Sequence, residues 1–209
     1  LAPSSINVRL HGIRFFVRQT LGQDWRVLEI IRVARQKKLP VVLSREEVRT
    51  VLSVRRPMCE MALTTIYALG LRLGEALRLR TEHIDSDRRM VWIRSGKGIK
   101  DRAVVLPRPL LMRLRRYWKE ERPRSASSHL FISSKTGEPP HPTTLQKTFI
   151  AARKDIRLAK HASIHTLRHS YATHLLESGV TLPTIRKAPR ACCDEDDLDL
   201  HARHPRQRR

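Results

Sequence analysis

Apolar residues recur at helical spacing in several blocks of this chain, and in one block they alternate as strand residues do. The clearest helical block is Ile164–Gly179, IHTLRHSYATHLLESG, where Leu167, Tyr171 and Leu175 return every four residues with Ala172 and Leu176 beside them. Gly179 stands where a helix can stop by taking a left-handed turn. Ser44-Arg45-Glu46-Glu47 reads as a capping box ahead of Val48, Val51 and Leu52. Pro57 opens a further helix through Met61, Leu63, Ile66 and Tyr67 to Gly70. There the run GLRLGEAL breaks at glycine and sets Arg72 at a junction between helices. Met90–Pro107 predicts a hairpin, with Val91, Trp92 and Ile93 in one strand and Ala103, Val104, Val105 and Leu106 in the other. A helix follows between Pro107 and Trp118 on Leu110, Leu111 and Leu114. Ser125–Ser128 is a polar break, and Leu130-Phe131-Ile132 is a short buried segment. Beyond the rigid turn Pro139–Pro142, Thr143 or Thr144 is the expected cap of a helix carrying Leu145, Phe149 and Ile150. The pattern predicts a mostly helical α+β domain with a small antiparallel β-element.

The first 34 residues fit this domain poorly. Ser4 or Ser5 is placed to cap a helix bearing Val8, Leu10, Ile13, Phe15, Phe16 and Val17. One helix cannot bury its own apolar face, so its partners are expected upstream of Leu1, in keeping with a fragment or a processed start. Arg35–Pro40, RQKKLP, is a basic connector, and a compact domain is expected from residue 41.

Charge narrows the classes of partner. The 209 residues carry 42 Lys and Arg against 20 Asp and Glu, a net charge of +22. That excess, interleaved with the apolar pattern, is the footprint of a polyanion binder. An RNA-binding basic protein would want interleaved surface aromatics, and aromatics are only 5% of this chain. No apolar run approaches membrane-spanning length and no basic-then-apolar signal segment opens the chain, so no membrane association is expected. Three cysteines, Cys59, Cys192 and Cys193, with no C-x-x-C spacing argue against a disulfide framework or zinc site and fit a reducing cytoplasm.

The candidate chemistry concerns phosphate. His165 and Arg168 stand three apart at the start of their helix, where unpaired backbone N–H groups and the helix dipole already favour an anion. Arg72 and Glu75 have the same spacing, which also suits an ordinary surface ion pair. Lys97 lies between Gly96 and Gly98 in the hairpin turn, free to carry its ammonium to a ligand or to rest in solvent. His161, His165, His169 and His174 could suggest a metal cluster. No second acidic or cysteine ligand stands at a recognised spacing, so no metal is expected.

In order and spacing, GLRLGEAL, SGKGIKDRAVVLP and HTLRHSYATHLLESGV resemble the catalytic domain of the tyrosine recombinases, the phage integrase family. The resemblance implies a catalytic domain over residues 41–187, a linker at 35–40 and, at 1–34, the remnant of a core-binding domain. It makes Arg72 and Arg168 the phosphate-holding arginines, Glu75 the acidic companion of Arg72, Lys97 the hairpin lysine and His165 the acid–base partner, with His169 in support. The implied reaction is cleavage and rejoining of DNA strands in site-specific recombination or integration, as carried out by mobile elements. A tyrosine hydroxyl attacks a phosphodiester of double-stranded DNA within a homo-oligomer. No cofactor or metal is implied, because two guanidiniums take the role of a divalent ion.

Past Lys187 the resemblance stops. A member of the family would continue with a leucine-glycine-histidine box and a tyrosine nine residues after that histidine. Here the text is APRACCDEDDLDLHARHPRQRR, and the chain's only tyrosines are Tyr67, Tyr117 and Tyr171. Read one nucleotide later, codons for Pro189, Arg190 and Ala191 admit Leu-Gly-His, and the codon for Leu200 admits Tyr, nine places on. A frameshift near Lys187–Ala188 is therefore expected to have made 188–209 an aberrant tail and removed the nucleophile. The alternatives are a native acidic-then-basic tail and a non-catalytic DNA-binding protein that keeps the recombinase scaffold.

Overall fold

The computed structural model describes residues 3–23, 25, 40–94 and 101–180. The chain forms two compact units, Leu1–Leu39 and Pro40–Arg209. In the first, helix α1 spans Pro3–Gln19. The expected cap at Ser4 or Ser5 is thus displaced, because Pro3 already takes the helical conformation and both serines lie inside the first turn. Val17 is buried, but Val8, Ile13, Phe15 and Phe16 lie open to solvent.

The second unit is built around α3, Pro57–Ala68. Every residue from Met61 to Ala68 is buried, the mark of a helix surrounded by other elements rather than lying on a surface. Around it pack α2 (Arg45–Leu52), α4 (Leu73–Leu77), α5 (Arg108–Arg116), α6 (Pro142–Asp155) and α7 (Ile164–Glu177). The capping box of α2 forms as the sequence predicts: Glu47 N donates to Ser44 Oγ at 3.1 Å and Ser44 N to Glu47 Oε2 at 2.7 Å. It presents Val48, Val51 and Leu52 to the core.

The hairpin is present, with strands β2 (Met90–Ile93) and β3 (Arg102–Val105) in antiparallel register, Val91 opposite Val104 and Ile93 opposite Arg102. A third strand, β1 (Ile84–Asp85), adds to the outer edge of β2. It is too short to announce itself by alternation. Leu130, Phe131 and Ile132 are buried as expected. With helices dominating and one three-stranded antiparallel sheet among the described residues, the α+β class is as the pattern predicts. No helix among the described residues is long and apolar enough to cross a membrane.

Three further expectations change. The cap of α6 is His141, whose Nδ1 accepts from Thr143 N at 3.4 Å. Pro142 starts the helix, so Thr143 and Thr144 are already within it. Ile150 is largely exposed, because Leu145 and Phe149 supply the inward face. On α7, Leu176 is exposed and Ala172 only partly buried; the inward face is Ile164, Leu167, Ser170, His174 and Leu175. Its polar members, with the buried Thr166, are satisfied: Thr166 Oγ1 accepts from Ser163 N at 3.0 Å, Ser170 Oγ accepts from Leu43 N at 2.9 Å and His174 Nδ1 pairs with Tyr67 Oη at 2.8 Å.

Candidate phosphate-binding site

The site is made where α3 ends. Gly70 N donates to Tyr67 O and Leu71 N to Ile66 O, the paired bonds of a helix closed by a left-handed residue. Gly70 has φ of +57°. A side chain there would meet more than backbone strain, since a Cβ would lie 2.5 Å from Tyr171 Cδ1. The turn delivers Arg72 as the N-cap of α4 in extended conformation. Glu75, one turn on, reaches back to accept from Arg72 N at 2.7 Å and from Arg72 Nη1 at 3.0 Å.

Glu75 is no ordinary surface partner. Its side chain is 4% exposed, and it lies among Leu73, Ala76 and Leu77 on the inward face of α4. Arg102 closes on it from β3 with a two-pronged pair, Nη1 to Oε1 at 2.8 Å and Nη2 to Oε2 at 2.7 Å. Arg168 approaches from α7, its Nη1 standing 4.0 Å from Glu75 Oε2 and donating to Gly70 O. Burial alone would push the Glu75 carboxyl up. The hydrogen bonds from Arg102 and from Arg72 N–H, with the charge of Arg102, overcome that and hold it at about 2. The pKa of Arg168 moves down through burial and the neighbouring charges of Arg102 and Arg72, with Glu75 opposing; a guanidinium remains charged regardless.

Three guanidiniums thus surround one carboxylate, and the cluster is net positive. The side chains of Arg72 and Arg168 are 55% and 38% exposed. Among the described residues only Nη1 of each makes a hydrogen bond, Arg72 to Glu75 and Arg168 to the Gly70 carbonyl. Two anchored, half-exposed forks with donors to spare can take the non-bridging oxygens of a phosphate.

The sequence-predicted residues are placed as follows. Arg72, Glu75 and Arg168 come together. Lys97 lies outside the described residues. His165 is exposed in the first turn of α7, sharing that turn with Arg168, and has no hydrogen bond among the described residues. His169 is exposed and outside the cluster. The four histidines weighed as metal ligands do not assemble. His161, His165 and His169 face solvent while His174 turns inward to Tyr67, and no group of three or more His, Cys, Asp or Glu suited to a metal occurs among the described residues. Cys192 and Cys193 fall outside them. The three tyrosines serve packing. Tyr67 and Tyr171 meet edge to face at 6.4 Å. Tyr117 is buried so fully that its hydroxyl is pushed up to about 12.

Arg102 is the member of this cluster to which the sequence pattern assigns no role. Alternation held the signal. Arg102 is two residues before Val104, so it falls on the inward face of β3, where an apolar residue would normally stand.

Similarity to known proteins extends over most of this chain. The phage integrase family matches residues 42–189. The protein y4qK of Sinorhizobium fredii is 39% identical over 188 residues, 89% of this chain and 60% of its own length. The tyrosine recombinase XerA of Thermococcus kodakarensis is 32% identical over 88% of this chain and 65% of its own length. The chain therefore spans less than two thirds of either relative. In fold it is similar to the XerH site-specific recombinase in a post-cleavage complex with palindromic difH substrate, with a TM-score of 0.70 and 20% identity over 96% of this chain and 64% of that one.

Proposed function

We propose, from the premise that this chain belongs to the phage integrase family and carries the fold of a tyrosine recombinase catalytic domain, that residues 41–187 bind duplex DNA. One backbone phosphate is held there for strand cleavage and rejoining in site-specific recombination. The observation that carries this reading is the convergence of Arg72 and Arg168, from distant parts of the chain, on the Glu75–Gly70 junction. Each guanidinium is anchored by one nitrogen while its side chain stays partly exposed.

Held this way, the two arginines neutralise the charge that builds on the non-bridging oxygens as a nucleophile attacks phosphorus. His165, exposed one turn before Arg168, is suited to exchange a proton with the attacking hydroxyl. Lys97 is assigned protonation of the departing 5′-oxygen. The net charge of +22 supplies sequence-independent attraction to the DNA backbone, and the protein acts as a homo-oligomer on its site. The 1–34 segment is assigned to a preceding core-binding domain, whose remaining helices would cover the exposed Val8, Ile13, Phe15 and Phe16.

The nucleophile is the missing part. None of Tyr67, Tyr117 and Tyr171 is free of packing duty, and the family match stops at residue 189, beside the point where a shifted reading frame would restore the family's box. In this reading the 209 residues bind DNA and carry no nucleophile of their own. The test is incubation with a duplex whose nick beside the cleavage site traps any covalent intermediate. The 209-residue chain should bind without forming an adduct.

A further inference from the structure

Arg102 occupies an unusual place for a charged residue. Its register partner is Ile93, and it shares the inward face of β3 with the fully buried Val104. Its side chain is 29% exposed, and such a position is tolerated only if the charge finds a partner. Both terminal nitrogens go to the two oxygens of Glu75, at 2.8 and 2.7 Å. Glu75 also sits 3.0 Å from Arg72 Nη1 and 4.0 Å from Arg168 Nη1. This carboxylate can therefore pair with any of three guanidiniums, and how it divides itself among them decides which remain available to a ligand.

We propose that Arg102 is a positioning residue of the phosphate site: by engaging both oxygens of Glu75 it keeps that carboxylate, already paired with Arg72, from drawing Arg168 inward as well. The proposal rests on the phosphate-site reading above. Two features support it. The Arg102 fork is spent on Glu75, so Arg102 acts through Glu75. Arg168, meanwhile, hydrogen-bonds to the neutral Gly70 carbonyl and stands off from Glu75, as expected where the carboxylate is already satisfied. Without Arg102, two cations would share one buried anion. Arg168 would have only to close from 4.0 Å to hydrogen-bonding distance to lose its outward aim, and the positive charge left for a phosphate would fall from two to one.

The test follows the side-chain Nε–Hε resonances of Arg72 and Arg168 in the full chain during titration with inorganic phosphate. Both should respond in the unsubstituted protein. Arg102→Met should weaken the response about tenfold, the scale of one charge-assisted hydrogen bond. Adding Glu75→Gln should restore it, since the group that pulls Arg168 inward has then lost its charge. A residue that merely braces the hairpin would not be rescued in this way. Arg102→Lys, which keeps a cation at the hairpin base without the fork, should weaken binding in the same direction and guards against unfolding of the methionine variant. Unchanged phosphate response in the Arg102→Met and Arg102→Lys proteins, or failure of Glu75→Gln to restore it in folded protein, overturns the proposal. No response at Arg72 and Arg168 in the unsubstituted chain overturns the phosphate-site reading itself, and the positioning role with it.

Discussion

Arg168 donates its Nη1 hydrogen bond to the backbone carbonyl of Gly70. The arginine whose exposed donors make the site is thus held by main chain, at the glycine whose φ of +57° closes α3. The ring of Tyr171 closes over the same glycine. Helix end, arginine and aromatic side chain depend on one another at that spot.

Gly70→Ala tests this dependence. The substitution adds backbone strain and a methyl group 2.5 Å from Tyr171 Cδ1, a combined cost of about 2 kcal/mol. A melting temperature lowered by several degrees is expected, together with weakened phosphate binding at Arg168. An unchanged melting temperature would show that the turn relaxes without cost.

Acid should unfold the domain through Glu75. Its carboxyl is held at about 2, down from an ordinary 4.5. The stabilisation is therefore fully present above pH 4.5 and is lost as pH falls through about 2. A drop of that size corresponds to about 3 kcal/mol. Urea unfolding at pH 6 and near pH 2.5 should show the gap between the parent and Glu75→Gln narrowing at the lower pH. A gap independent of pH would mean that Glu75 carries no such charge-dependent stabilisation.

Binding to duplex DNA should fall steeply with salt and depend little on base sequence, because a net charge of +22 acts mainly on phosphates. Fluorescence anisotropy across a salt series measures this. Affinity that stays level from low to high salt would contradict it.

Much of the fold was legible because its signals are local. Ser44 and Glu47 spell out a cap, Gly70 stops a helix, and Val91 and Val104 face each other across a hairpin readable from alternation alone. The pairing of Arg72 with Glu75 was legible from spacing, but the burial of Glu75 was not. That burial comes from β3 and α7, brought in from far along the chain. Arg102 was missed for the same reason. Its partner is not its sequence neighbour, and a cation beside a glycine-rich turn looks solvated until the strand's inward face is known. The two-residue strand Ile84–Asp85 exists only through its pairing with β2.

The codons of the gene test the account of the tail. From Pro189 to Leu200 they should allow, one nucleotide later, the Leu-Gly-His box followed nine residues after its histidine by tyrosine. Codons incompatible with that box would make the acidic tail native and remove the frameshift.

The most direct measurement is covalent capture on a nicked duplex, comparing the 209-residue chain with a version whose reading frame is restored after Lys187. A denaturant-resistant protein–DNA adduct is expected for the restored chain alone, lost on Arg72→Ala or Arg168→Ala. Adduct formation by the unrestored chain, abolished by Tyr171→Phe, would contradict it.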